Sequence, residues 1–421
     1  MTPQAVDGGG MGAGFPGPAA RWLLRMVLPA DRREEFEGDL IEEAETIVLP
    51  RNGRRAARSW FWWQVVVSAP SMLARRVDKE VSMYPQRWIV PAALLVIWGI
   101  VGMADLSHNS TGGFDWGNSM VLAVDPGGPA DRAGLREGDR ILTMDGVPSD
   151  DLEALQSQPR TEIGETRVLQ VERTDEVTGA TTTETVEITY GQVPARGRTF
   201  DLVAGVIGLV FLLTGLLVFL KAPGTPSLLF ALVGFGFAGI LLPGPYIGAP
   251  GVRHFISNLL FLAFLTAFAS LLHLLLTFPR RKRVVEKKYV WPLIYAPVAV
   301  FALVWLANLV AGLPLHRLGA PAALFLGILL IGYAVLSLVA LIHSFVTAAP
   351  KERAEGGLNF MLAGVVIGLL PLTCLMVAGL FGRTDTLPGT DFLFLTLVLI
   401  PISFGVALVK NARGALPTRS A

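Results

Sequence analysis

The sequence predicts a mainly α, polytopic membrane helix bundle of about eight spans with an inserted α+β domain. Of 421 residues, 52% are hydrophobic and only 16% are charged, whereas soluble domains carry about a quarter charged residues. Apolar stretches long enough to cross about 30 Å of hydrocarbon recur along the chain. One polar stretch after the first of them alternates apolar and polar residues with the period of β-strands.

The eight apolar stretches are 17 to 28 residues long, which reaches or exceeds the range of about 17 to 25 residues that a spanning helix needs. They lie at 88–104, 202–220, 227–246, 255–277, 290–311, 320–347, 358–381 and 392–409. The stretch at 88–104 is predicted to be the first transmembrane helix, and the other seven are predicted to form a bundle at 201–410. The flanking segments are predicted to be a Gly/Pro-rich disordered tail at 1–18 and a cytoplasmic tail at 411–421.

The short loops predict the orientation of these spans. Twelve Lys and Arg residues lie on one set of loops and three on the opposite set. The first set is at 221–226, 278–289, 348–357 and 410–421. Because cations are enriched in cytoplasmic loops, we expect both termini in the cytoplasm, and the stretch between the first two spans outside it.

The segment 19–82 is predicted to be a separate cytoplasmic helical module. Its part at 53–76 mixes arginines with four aromatic residues at 60–63, a composition that suits an anionic membrane surface; the alternative is a small helical core. The motifs Arg21-Trp22-Leu23-Leu24-Arg25, Gly38-Asp39-Leu40 and Arg55-Ala56-Ala57-Arg58-Ser59-Trp60 resemble the permease prefix domain of macrolide-exporter-type ABC permeases.

The extracytoplasmic stretch carries one ordered motif. From Val121 to Leu142 the chain reads strand, Pro-Gly turn, Pro-Ala helix start, Ala-Gly-Leu, Gly-Asp and strand, and Asp145-Gly146 then forms a turn. This order resembles a bacterial PDZ domain, which we place at 111–191. The resemblance implies a bacterial plasma (inner) membrane protein with the domain outside. We expect a short helix at 151–158 with Ser149 or Asp150 as its N-cap.

A PDZ resemblance implies that an extended peptide adds a strand to the domain and that a backbone nest captures its C-terminal carboxylate. The candidate nest is Gly112, Gly113 and Phe114, because glycine lets N–H groups converge. The candidate groove residues are Leu152 and Leu155. The alternative is a PDZ fold that serves as a spacer or a dimer contact.

No enzyme chemistry is expected. The five histidines include no His-Glu-x-x-His pair, and Cys374 is the single cysteine, so neither a zinc protease nor a Cys-based metal cluster is indicated. We predict no catalytic residue, no metal and no cofactor. His273 and His343 lie within apolar spans and could pair with each other, although packing roles are more common. The net charge of +1 gives no reason to expect nucleic acid as a partner.

The last seven spans resemble the membrane sensor half of competence-type histidine kinases. The resemblance rests on Leu271 to Arg280 with its Phe278-Pro279, and on Leu399 to Lys410. These kinases continue into a catalytic domain, whereas this chain stops at Ala421, so kinase chemistry is not expected.

Taken together, these patterns predict a membrane sensor or scaffold. An extracytoplasmic peptide or protein terminus would bind the PDZ-like domain, lipids would surround the spans, and a cytoplasmic signalling partner would receive the signal. The alternative, suggested by the prefix resemblance, is a transporter or accessory permease subunit. Charged residues are scarce within the spans, which disfavours transport.

Overall fold

The structure is a computed structural model of the whole chain. It describes residues 30–51, 53, 55–57, 59–64, 84–117, 119–174, 180–287, 289–311, 319–380 and 393–414. The predicted tail at 1–18 lies outside the described residues, as do the last seven residues of the chain.

The described part of the N-terminal module is helical. Helix α1 is Ala30–Glu43, and a π-helical turn continues it through Ala44–Val48. Trp60 packs against a small core that contains the buried Ala44 and Ala57, whereas 65% of Trp63 is exposed. The aromatic segment therefore has both a packed part and an exposed part.

The first apolar helix leads directly into the inserted domain. Helix α2 is Ile89–Asp105, with 3₁₀ turns at Pro85–Trp88 and Leu106–His108 on either side. The strands that follow are β1 Ser110–Thr111, β2 Phe114–Gly117, β3 Met120–Val124, β4 Arg140–Met144, β5 Val147–Pro148, β6 Thr166–Thr174, β7 Thr181–Thr189 and β8 Gly191–Gln192. Two short helices join them, α3 Pro129–Arg132 between β3 and β4 and α4 Leu152–Ser157 between β5 and β6.

The strands form an antiparallel sheet in the order β2-β3-β4-β6-β7, with β5 paired to β4. Strands β1 and β8 pair separately and bring the two ends of the domain together. Buried side chains alternate along the strands, as at Leu169 and Val171 in β6 and at Val186 and Ile188 in β7. This alternation gives the domain one apolar core beneath the sheet.

The predicted N-cap of α4 is wrong. The Oδ1 atom of Asp151 accepts a hydrogen bond from the Ala154 N–H at 3.0 Å, and Asp151 is the cap. Ser149 is buried instead, and its hydroxyl donates to the Ile141 carbonyl at 2.6 Å. A buried hydroxyl needs a hydrogen-bond partner, and Ser149 finds it in a carbonyl of β4 rather than in the helix.

The helices of the membrane bundle follow the inserted domain. They are α5 Ala195–Lys221, α6 Thr225–Leu241, α7 Pro250–Thr277, α8 Val290–Ala311, α9 Gly319–Thr347, the short α10 Pro350–Glu355, α11 Leu358–Leu380 and α12 Leu399–Gly414. Short 3₁₀ helices lie at Arg283–Glu286 and Phe394–Val398.

Six helices in the described part of the chain are long and apolar enough to cross a membrane. They correspond to six of the eight predicted spans. Of the other two, α6 is a shorter apolar helix at Thr225–Leu241, and the apolar stretch at Leu358–Leu369 is the first part of the 23-residue helix α11. The chain is therefore a membrane protein by the length and composition of its helices, and the count of eight spans stays a prediction.

Glycines allow α5, α6 and α7 to approach closely. A Cβ atom built on Gly234 would lie 2.5 Å from the Phe211 carbonyl oxygen, and one built on Gly236 would lie 2.4 Å from the Ala263 carbonyl oxygen. Small residues at such crossings are typical of membrane helix packing. Helix α6 ends at Leu241, earlier than predicted, because Pro243 cannot donate the next helical hydrogen bond.

Candidate functional site

Strand β2 lies at one edge of the sheet. Its residues Phe114 and Asp115 pair with Val124 and Ala123 of β3, and no described strand pairs with its other side. The Gly113 carbonyl accepts the Asp125 N–H at 2.9 Å. Because backbone groups alternate in an antiparallel ladder, the N–H and carbonyl of Phe114 point toward the open edge. This edge can receive one more strand.

The two glycines before β2 are buried and fixed. The Gly112 carbonyl accepts the Ala130 N–H at 2.8 Å, and the Gly113 N–H donates to the Thr111 hydroxyl at 3.0 Å. Gly113 has a φ of 71°, and a Cβ atom there would lie 2.8 Å from Cδ of Pro129. The loop therefore fits against the start of α3, and its Gly113 N–H can reach a carboxylate only by leaving the Thr111 hydroxyl.

Helix α4 and strand β2 contact the same core. Phe114 and Leu155 are both half-buried and both pack against the cluster that contains Val121 and Ile141. The side chain of Leu152 lies outside the described residues. The structure thus packs two of the five predicted site residues, Phe114 of the edge strand and Leu155 of α4, against one core, and Gly112 and Gly113 directly precede Phe114.

A buried ion pair holds the loop that follows α3. Asp139 is 2% exposed and accepts hydrogen bonds from Nε of Arg173 at 2.8 Å, from Nη2 of Arg173 at 2.6 Å and from the Arg136 N–H at 2.9 Å. The hydrogen bonds to Asp139 raise the pKa of Arg173 above its usual value. Asp139 belongs to the Gly-Asp element of the sequence motif, but no local pattern indicates its partner, which lies 34 residues away.

A second polar cluster joins the domain to the membrane helices. Nη1 of Arg160 lies 3.1 Å from Oδ2 of Asp105, at the end of α2. The same carboxylate oxygen accepts the Tyr246 N–H at 3.0 Å, and the Arg160 N–H donates to the Tyr246 hydroxyl at 2.8 Å. A further hydrogen bond joins Arg160 to Asn109. We call these four residues the junction. No local pattern in the sequence indicates it.

The intramembrane histidines do not pair with each other. Nδ1 of His273 lies 3.0 Å from the Tyr295 hydroxyl, whereas Nδ1 of His343 lies 3.5 Å from Nζ of Lys282. Within the described ranges, no three His, Cys, Asp or Glu residues gather as metal ligands would.

Comparison with known proteins identifies the inserted domain alone. The PDZ domain family model matches residues 120–173, which run from the start of β3 almost to the end of β6. No curated protein matches the chain, and no solved structure matches it. The match covers a small part of the chain and shows a PDZ domain, which is a protein-interaction module. Together with the apolar helices, it defines a membrane protein that carries a PDZ domain.

Proposed function

We propose that this protein is a membrane sensor or scaffold that captures an extended peptide or a protein terminus with its PDZ domain outside the cytoplasm. A separate cytoplasmic partner receives the signal. The observation that carries the proposal is the edge of β2, on which no described strand pairs and which directly follows the Gly112-Gly113 loop, together with the packing of Phe114 and Leu155 of α4 against one core. PDZ domains bind peptides by adding a strand at this kind of edge.

The junction supports transmission of the bound state to the bundle. Arg160 follows α4, which flanks the proposed groove, and it contacts both the end of α2 and the loop before α7 through Asp105 and Tyr246. A peptide that shifts α4 would therefore act on two membrane helices. A shift of less than about 1 Å at a binding site is amplified into a larger change where packed elements can adopt two discrete arrangements.

The connectivity supports an extracytoplasmic domain. Tyr246 contacts the PDZ domain just before α7 begins, and the basic loop at 278–289 follows directly after α7 ends. A 28-residue helix is about 42 Å long, so the domain and the basic loop lie at opposite ends of the bundle. The excess of cations in that loop favours the cytoplasmic side for it.

The test is peptide binding to the full chain in lipid nanodiscs. Peptides selected from a library with free C-termini are measured by fluorescence anisotropy, as the free acid and as the amide. We expect Leu155→Lys to weaken binding about tenfold or more, equivalent to about 1.4 kcal/mol, because it places a charge beside the groove. Thr185→Lys, on the exposed face of β7, is the matched control. Gly113 is unsuitable as a probe because any side chain there would meet Pro129.

If no peptide is selected, or if both variants bind as the unmodified chain does, the edge of β2 is not a binding site. The domain would then be a spacer or a contact between copies.

A further inference from the structure

A cavity of about 1240 Å³ opens at the end of the bundle remote from the PDZ domain. The helices α7, α8 and α9 line it together with the basic loop between α7 and α8. Its inner wall is apolar, with Leu272, Leu276, Ile294 and Ala340 among its residues. The proposed peptide site uses none of these residues.

The rim of the cavity is strongly cationic. Five cations line it, at Arg280, Arg281, Lys282, Arg283 and Lys287, against two carboxylates. Both carboxylates are already paired, Glu352 with Arg280 and Glu355 with Lys351. Glu286 belongs to the same loop but does not line the cavity. Among the residues that the structure describes, no ion pair engages Arg283 or Lys287, so the rim retains positive charge.

Lys282 brings one of these charges inward. Its ammonium group donates to the Ser344 hydroxyl and lies 3.5 Å from Nδ1 of His343. The side chain is half-buried, and burial lowers the pKa of Lys282 below its usual value. Neither of these partners is a carboxylate, and a half-buried ammonium gains from an anion placed beside it.

The wall of the cavity continues onto an uncovered apolar surface. Leu293 of α8 is 69% exposed, and Leu336 and Val339 of α9 are each 55% exposed. All three line the cavity and lie in helices long enough to span a membrane. An occupant must therefore have an anionic end at the rim and an apolar part along these helices.

We propose that the cavity binds an anionic phospholipid. The phosphate lies against Lys282, Arg283 and Lys287, and the acyl chains lie along α8 and α9 over Leu293 and Leu336. Basic pockets between membrane helices recognise anionic headgroups in this way, and ammonium and guanidinium groups form strong charge-assisted hydrogen bonds with phosphate. A free phosphate would satisfy the rim but leave the apolar wall uncovered.

The test measures lipid retention by native mass spectrometry of the full chain released from detergent. Phosphatidylglycerol and phosphatidylcholine with identical acyl chains are supplied in equal amounts. We expect phosphatidylglycerol to be retained about tenfold more than phosphatidylcholine. The double variant Arg283→Gln/Lys287→Gln should reduce this preference to near unity. The double variant Lys221→Gln/Lys410→Gln removes two exposed cations at the same end, outside the cavity lining, and should keep it.

Glycerophosphate, which has the phosphate but no acyl chain, should not displace the lipid at equal concentration. Equal retention of both lipids by the unmodified chain would overturn the proposal, and so would an equal loss in the two double variants. Full displacement by glycerophosphate would assign the site to a soluble phosphate compound and would also overturn it.

Discussion

Arg160 is the residue whose loss should separate the PDZ domain from the membrane bundle. Arg160→Met removes the ion pair with Asp105 and the hydrogen bond to Asn109. The methionine side chain is also unbranched and can pack against the ring of Tyr246, whose centre now lies 5.2 Å from the guanidinium carbon of Arg160. The change therefore tests charge and hydrogen bonding while it preserves most of the packing.

The expected cost follows from the geometry of the pair. Arg160 and Asp105 have side chains that are 20% and 26% exposed, with 3.1 Å between the interacting atoms. A charged hydrogen bond contributes about 1.5–3 kcal/mol, and partial exposure reduces this to about 1–2 kcal/mol. A loss of this size changes a local opening equilibrium by a factor of about 5–30.

Hydrogen exchange of the full chain in nanodiscs measures this opening. The Tyr246 N–H donates to Asp105, so peptides that cover 242–249 should exchange about 5–30 times faster in Arg160→Met, while β6 and β7 should exchange as before. Arg136→Met, at an exposed position of the same domain, should change nothing at 242–249. Unchanged exchange in Arg160→Met would refute the junction as the link.

Three further predictions concern stability. Arg173→Leu leaves the buried Asp139 carboxylate without its counter-ion and should lower the free energy of unfolding by about 3–5 kcal/mol, measured by thermal unfolding. Arg173→Lys should restore little of this stability because the pairing with Asp139 is bidentate. Gly236→Ala should lower the thermal stability of the bundle by about 1–3 kcal/mol through overpacking, whereas Gly332→Ala, with open space around it, should be neutral. Burial raises the pKa of the Tyr190 phenol. The free energy that the buried neutral phenol contributes to folding is therefore present below about pH 10 and is lost as pH rises through the folded-state pKa. Absorbance titration at high pH should show that Tyr190 ionises at a higher pH than a free tyrosine does.

The sequence predicted the strands of the inserted domain well because their residues carry a local signal. The apolar and polar pattern predicts strands at 120–124, 140–144, 167–173 and 182–190. The bounds of β3 and β4 coincide with the first two, and those of β6 and β7 differ from the last two by a single residue at each end. The Asp145-Gly146 turn is present, with positive φ at both residues, as a two-residue hairpin loop requires.

Long-range polar contacts could not be predicted in the same way. Asp139 and Arg173 are 34 residues apart, and Arg160 meets Tyr246 across 86 residues. Nothing in the local pattern of either segment indicates the partner, because such pairs depend on how the elements pack. The cavity at the basic loop was missed for the same reason: the sequence showed the cations of 278–289 as a topology signal, whereas the apolar wall comes from α8 and α9.

The placement of the PDZ domain outside the cytoplasm and of the basic loop inside it is tested most directly by thiol labelling. Cysteine is introduced at Thr185 or at Lys287 in a Cys374→Ser background, and intact cells are treated with a membrane-impermeant maleimide. Where the host cell has an outer membrane, it is permeabilised beforehand so that the maleimide reaches the outer face of the inner membrane. We expect Thr185→Cys to be labelled at once and Lys287→Cys to be labelled only after the inner membrane is opened. Labelling of both positions from the same side, or in the reverse order, would contradict the proposed topology.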